Sequence, residues 1–269
     1  MERLADIFQH DLTFGKKLGD ISLSQVKFKN TAFQSLMGSL VQLRRLVLCF
    51  TNFDQESWTI LRTTRPAHLK TMTVLNLDHY LNLPGEAIHQ MLCEMPNLKI
   101  FVATVVEDKE MVEDPRPWVC LDMEELTLRL SLSSFSVYPS VRTLAIKSYL
   151  AQVGQLKRLE ILRDFLPRDE QGSAIVLGVE NGLDALKDLR QLRNVNWVHR
   201  CKQENEVRWI LENWLQLETL QGLGCRPDWI ATNFFKATNK TSTEQNRSLP
   251  SSKLNSCDIL HPGHLPLIL

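Results

Sequence analysis

Seven histidines, six cysteines and 31 acidic residues are the side chains of this sequence that could hold a metal, attack a carbonyl or move a proton. A metal site needs His or Cys ligands at set spacings on one face of an element. Only His261 and His264 stand close, as His-Pro-Gly-His, and the proline between them breaks the helix that would align both rings. Cys49, Cys93, Cys120, Cys201, Cys225 and Cys257 are spread singly, without the C-x-x-C pairing of a metal clip or redox site. They read as reduced thiols of an intracellular protein, with Cys49 and Cys93 as small core residues. Glu124-Glu125 and Asp169-Glu170 are adjacent acids, but acid–base catalysis needs two carboxyls facing each other across a substrate. No G-x-S-x-G elbow, H-E-x-x-H or catalytic cysteine signature occurs. We therefore expect no enzyme: no catalytic residue, no metal and no cofactor.

Composition narrows the partner. Lysine plus arginine equals aspartate plus glutamate at 31 each, so no global field attracts nucleic acid or an anionic membrane. No window reaches the ~18 uncharged apolar residues that argue for a membrane helix. The opening MERLADIFQHDLTFGKK lacks the apolar core of a signal peptide. The expected setting is cytoplasmic or nuclear, with neither nucleic acid nor membrane as partner. The glycosylation triplets at Asn239 and Asn246 then read as chance matches in a polar segment.

Self-similarity is the strongest signal in the chain. An apolar frame of the form L-x-x-L-x-L recurs as Leu23, Val26, Phe28; Leu43, Leu46, Leu48; Met72, Leu75, Leu77; Leu98, Phe101, Ala103; Met123, Leu126, Leu128; and Val141, Leu144, Ile146. Looser copies follow at Leu159, Leu162; Leu192, Val195, Trp197; and Leu217, Leu220. Between frames the apolar period becomes helical, as in Phe33, Leu36, Met37, Leu40, then Ala87, Ile88, Met91, Leu92, then Val207, Ile210, Leu211, Trp214. Each unit is thus a short strand and a return helix, neither able to bury its apolar side alone, so successive units stack. The expected fold is α/β: a leucine-rich-repeat solenoid, or horseshoe, with a parallel inner sheet and outer helices. A doubly wound sheet is the alternative, and its nucleotide-binding form needs a Gly-rich strand-to-helix turn that is absent here.

The expected divisions are 1–22 as an N-terminal cap or truncated segment, 23–226 as the repeat domain, and 227–269 as a largely disordered tail rich in Ser, Thr, Asn and Lys. Residues 104–120 and 167–181 read as long insertions looping off the repeats. Trp118, Trp197, Trp209 and Trp214 read as wedges between helix and strand. Strand alternation sends the residues between core positions to the opposite, concave face. The candidate partner-binding residues are therefore Arg45, Val47, Val74, Asn76, Ile100, Val102, Glu125, Thr127, Thr143 and Arg163. Val74, Ile100 and Val102 form an apolar cluster with polar neighbours, the make-up of a protein contact.

The segments LRRLVLCFTNF, MLCEMPNLKIFVAT, RPWVCLDMEELTLRL, LAQVGQLKRLEIL and EVRWILENWLQLETLQGL, from Leu40 to Leu223, resemble the F-box and leucine-rich-repeat proteins of Mortierella-type fungi. Pro117-Trp118-Val119-Cys120 and Glu206-Val207-Arg208-Trp209 with Trp214 are the distinctive pieces. The resemblance implies a ribonuclease-inhibitor-like repeat domain that selects protein targets for ubiquitination, with an F-box docking on a Skp-type adaptor of a cullin–RING ligase. Residues 1–23 are too short for an F-box and lack its Leu-Pro start, so the expectation is a member without one. The alternative is a repeat scaffold or regulator of protein assembly independent of any F-box.

Overall fold

Alternation decides where the side chains of each frame go. In strand β2 (Arg45–Cys49), Leu46 and Leu48 are fully buried while Arg45 is exposed and Val47 half-buried. The same pattern fills β1 (Asp20–Ser24), β3 (Val74–Asn76), β4 (Ile100–Glu107), β5 (Glu125–Leu132), β6 (Ile161–Arg163) and β8 (Asn194–Asn196). Two more strands, β7 (Arg168–Asp169) and β9 (Thr219–Gln221), complete one sheet. The computed structural model describes residues 18–77, 83–132, 139–163, 168–169, 182–196 and 204–221. The expected tail 227–269, Trp197, Val207's side chain, Cys201, Cys225, His10, His79 and His199 lie outside the described residues, as does 167–181 apart from β7.

Every strand pair is parallel, and the strand order β1-β2-β3-β4-β5-β6-β8-β9 follows the chain, with β7 beside β5. The order never reverses, as it must at the switch point of a doubly wound sheet. One backbone arrangement recurs at each junction. The residue after the first apolar position of a frame turns its carbonyl toward the next unit, where it accepts two amide hydrogen bonds. Gly19 O accepts from Arg44 N at 2.7 Å and Arg45 N at 3.1 Å. Lys99 O accepts from Glu124 N at 2.7 Å and Glu125 N at 3.0 Å, and Arg193 O from Glu218 N at 2.8 Å and Thr219 N at 2.9 Å. Buried strand entries thereby satisfy their polar groups without side chains.

The helices cover the face that carries the frame leucines. They are α1 (Asn30–Ser39), α2 (Gln55–Thr64), α3 (Ala67–Thr71), α4 (Gly85–Glu94), α5 (Asp108–Glu113), α6 (Pro139–Gly154) and α7 (Glu204–Asn213), with a 3-10 turn at Leu183–Leu186. Asp54 caps α2 by accepting the Ser57 N–H at 2.9 Å. Phe33 and Met37 of α1, Trp58 and Leu61 of α2, and Ala87, Ile88, Met91 and Leu92 of α4 join Leu46, Leu75, Phe101 and Leu126 in one core. Trp118 and Trp214 are buried wedges: Trp118 meets Tyr149 edge-on at 6.0 Å, and the Trp214 indole N–H donates to Leu186 O at 3.1 Å. Trp209 is half-buried, edge-on against Trp214. Asn52 ties the first two units together, accepting Phe28 N–H and donating to Phe28 O, both at 2.8 Å.

Four expectations are corrected. The first frame is Leu18, Ile21, Leu23, not Leu23, Val26, Phe28, because Ile21 pairs with Leu46 and Leu23 with Leu48. Gln25, at φ 56°, ends that strand. The frame Val141, Leu144, Ile146 lies in α6, where Leu144 is 55% exposed and Ala145, Ile146, Tyr149, Leu150 and Val153 make a helical stripe. Residues 104–120 are no free loop: they extend β4, form α5 and bury Val106, Met111, Trp118 and Cys120. Gln152 of α6 clasps this segment, accepting Trp118 N–H at 3.0 Å and donating to Arg116 O at 3.3 Å. Cys49 lies on the face of Arg45 and Val47, outside the core that Cys93 packs against.

Leu75→Ala and Leu126→Ala should each cost about 2–5 kcal/mol, as buried leucine truncations do. Asn52→Ala should cost about 1–3 kcal/mol by orphaning both polar groups of Phe28. Thr127→Val should be neutral or stabilising, since the Thr127 hydroxyl is buried without a hydrogen-bond partner. Urea denaturation midpoints check all four; a Thr127→Val loss as large as that of Leu126→Ala contradicts the register.

Candidate functional site

Opposite the frame leucines, the sheet carries two rows of side chains set by strand register. One row runs Asp20, Arg45, Val74, Ile100, Glu125, Ile161, Asn194, Thr219. The other runs Ser22, Val47, Asn76, Val102, Thr127, Arg163, Asn196. Neighbours in a row sit on strands ~4.8 Å apart, close enough for side chains to touch. Five strands thereby contribute to one groove of about 440 Å3, lined by Arg45, Val47, Val74, Asn76, Ile100, Val102, Glu125, Thr127 and Arg163. Of the residues singled out from the sequence, Thr143 alone is not among them. It sits on α6, where its hydroxyl donates to Pro139 O at 2.9 Å, so it is no strand-face residue.

The groove is apolar at its centre and charged at its ends. Val47, Val74, Ile100 and Val102 are half-buried, and none offers a side-chain hydrogen bond. At one end Arg163 Nη1 meets Glu125 Oε1 at 2.6 Å, with the Arg163 side chain 48% exposed and that of Glu125 18%. A pair this wet contributes at most about 1 kcal/mol to stability. At the other end Arg45 is exposed, and among the described residues it makes no ion pair. The sequence reading missed that this face continues past the frames. Strands β4 and β5 run on, so Arg129 joins Glu125 and Thr127, with Val105 opposite it in register. The unbroken alternation of Leu126, Leu128, Leu130 and Leu132 was the signal for it.

A second depression of about 310 Å3, lined by Gln42, Lys70, Thr71, Thr73, Asn97, Lys99 and Asp122, lies where the chain enters the strands. Its polar groups are largely committed: Thr71 Oγ1 donates to Leu43 O at 2.9 Å, Lys99 Nζ reaches Glu124 at 2.7 Å, and Asp122 pairs with Arg158 at 3.2 Å. We therefore take the open sheet face as the candidate site.

Helix α4 brings one Cys–His–Asp set together, and its geometry does not make a nucleophile. His89 Nε2 lies 3.6 Å from Cys93 Sγ and 3.5 Å from Asp114 Oδ2, while Nδ1 is buried without a partner. One ring nitrogen faces both groups, so the ring cannot relay a proton between them. Burial pushes the Cys93 thiol up to about 11, away from the thiolate that reactive cysteines need. Burial also lowers the His89 pKa against the pull of Asp114, so the ring is neutral and the 3.5 Å approach is no ion pair at neutral pH. The Arg116 hydrogen bonds hold the Asp114 carboxyl below its ordinary range. Glu124 and Glu125 each face their own base, Lys99 and Arg163, rather than one another across a cleft. Among the described residues no group of three or more His, Cys, Asp or Glu side chains is placed to hold a metal, and no helix is long and apolar enough to cross a membrane. His261 and His264 lie outside the described residues.

No protein-family model matches the chain, and a search of curated proteins finds no relative.

Two opposed titrations give the fold a pH signature. Burial lowers the pKa of His68 and His89 below the ordinary 6.5, so the unfolded chain takes up protons first and stability falls as pH drops below about 6.5. Burial beside Glu107 pushes Glu110 up to about 7, so the folded chain holds its proton longer and stability falls as pH rises through about 7. Glu110→Gln should remove the second loss: its advantage over the wild type grows from pH 5 to pH 8, and its own stability falls from pH 7 to pH 5. Chemical denaturation at four pH values checks this, and a constant gap between the two proteins refutes it.

Proposed function

We propose that this chain is a leucine-rich-repeat recognition protein that binds a protein target on the open face of its sheet and catalyses nothing. The observation that carries the reading is the register that gathers frame residues of five successive strands into one groove. Strands stacked in chain order, and a carbonyl ladder repeated at every junction, support a leucine-rich-repeat horseshoe as the architecture. Half-buried aliphatic side chains bordered by charge suit a protein contact better than a small-molecule pocket. The raised thiol of Cys93 and the separately paired acids support a non-enzymatic role.

The resemblance of RPWVCLDMEELTLRL and EVRWILENWLQLETLQGL to fungal F-box repeat proteins supports a more specific role, target selection for a cullin–RING ubiquitin ligase. In that role the open face holds the target, and a Skp-type adaptor is a partner only where an F-box precedes the repeats.

The tagged full chain should capture a protein target from fungal cells, and Ile100→Asp should lose that target with an unchanged circular dichroism spectrum; a Skp-type adaptor in the same eluate favours the ligase role. Target capture without the adaptor favours the F-box-independent scaffold. Target capture undiminished by Ile100→Asp removes the open face as the binding surface.

A further inference from the structure

The open face also specifies what kind of segment it takes, an inference that rests on the recognition reading above. Its centre, Val47, Val74, Ile100 and Val102, is β-branched and half-buried, and covering it with aliphatic surface is the favourable way to remove it from water. Among the described residues neither of the two rows carries Phe, Tyr or Trp, so the rows themselves offer no ring on which a base would stack. Charge then orients the ligand. Glu125 occupies Arg163 at 2.6 Å, so the guanidinium lining that end of the groove is already paired. At the other end Arg45 is exposed, and neither its row neighbour Asp20 nor any other described acid forms an ion pair with it. An exposed guanidinium beside an apolar floor binds a carboxylate through two parallel N–H bonds and gains strength as the ligand displaces water.

We propose that the open face binds a segment of a partner protein that pairs an aliphatic side chain, seated over Val74, Ile100 and Val102, with an Asp or Glu carboxylate held by Arg45. The spacing follows from the sheet. Arg45 on β2 and Ile100 on β4 are two strand intervals apart, ~10 Å, and an extended chain crosses that in about three residues at ~3.4 Å each. The carboxylate therefore lies two to four positions from the aliphatic residue.

Random 12-residue peptides displayed on phage, selected on the full chain, test this. Enrichment of an aliphatic residue with Asp or Glu two to four positions away is expected. A fluorescent synthetic peptide from that pool should bind Arg45→Glu at least tenfold more weakly, and changing its acid to Lys should restore binding to that variant. Ile100→Asp should abolish binding. Enrichment of basic peptides, enrichment of none, or full binding to Arg45→Glu overturns the proposal. If Ile100→Asp abolishes binding while Arg45→Glu leaves it intact, only the carboxylate assignment fails. If neither substitution matters, the open-face reading fails with it.

Discussion

The carbonyl that accepts two amides at each unit junction is the constraint on which the rest of the structure depends. Parallel strands entering a buried sheet leave polar backbone groups that water cannot reach, and an unpaired one costs about 1–3 kcal/mol. Gly19, Arg44, Thr73, Lys99, Glu124, Glu160 and Arg193 all solve this in the same way. Their side chains range from none at all to acid and base, so the bond geometry is independent of sequence at that position. The arrangement fixes register as well. Once Lys99 O holds Glu124 N and Glu125 N, Phe101 must face Leu126 and Ile100 must face Glu125. A slip by one residue would send every leucine to the open face.

That register explains why the units tolerate so much variation between strands. The step from β4 to β5 includes an extended strand, a short helix and a crossing segment, and the step from β5 to β6 adds the long α6. Each addition is anchored by its own buried groups rather than by the ladder. Tyr149 of α6 donates to Leu128 O at 2.8 Å, and Gln152 holds both Trp118 and Arg116. Gly154 ends α6 against the 3-10 turn, where an added Cβ would overlap the Ala185 carbonyl. Insertions are accommodated because they add core on the helix side, while on the open face they only lengthen β4 and β5 beyond the frames.

The parts of the fold legible in the sequence were those in which one period dominates. Leu43, Leu46, Leu48 and Met72, Leu75, Leu77 fit the frame and are all buried as it requires. The frame is ambiguous in itself, since its first two apolar positions stand three apart and so match a helix face as well as a strand entry. Val141, Leu144 and Ile146 satisfy it by accident, and what decides for helix is the continuation through Tyr149, Leu150 and Val153. At the N-terminus two frames overlap, and only pairing with β2 chooses Leu18, Ile21, Leu23 over the version five residues later. Nothing local encodes that choice, because it depends on where Gly19 meets Arg44. The site was more legible than the connections: a residue between two buried leucines of a strand must face the other way, whatever its type. Thr143 went astray only because its frame was not a strand. The environments of His89, Cys93 and Asp114 were invisible, since α4 and the segment after α5 approach one another only through the fold.

Alternate residues of the same strands thereby separate stability from the recognition role proposed for the open face. Leu46 and Leu48 face the core while Arg45 and Val47, one step away, face the groove. The ladder that holds the strands uses backbone atoms alone, so side chains on the open face can change without weakening it. Any ligand of this face would consequently be chosen by the outward residues rather than by the fold. An apolar centre from Val47 to Val102, a closed Glu125–Arg163 pair at one end and, at the other, Arg45 with no ion pair among the described residues make the two ends unequal. In the proposed role, burial of the centre would supply affinity that any aliphatic ligand can claim, whereas the inequality of the ends would make one orientation and one charge better than the other.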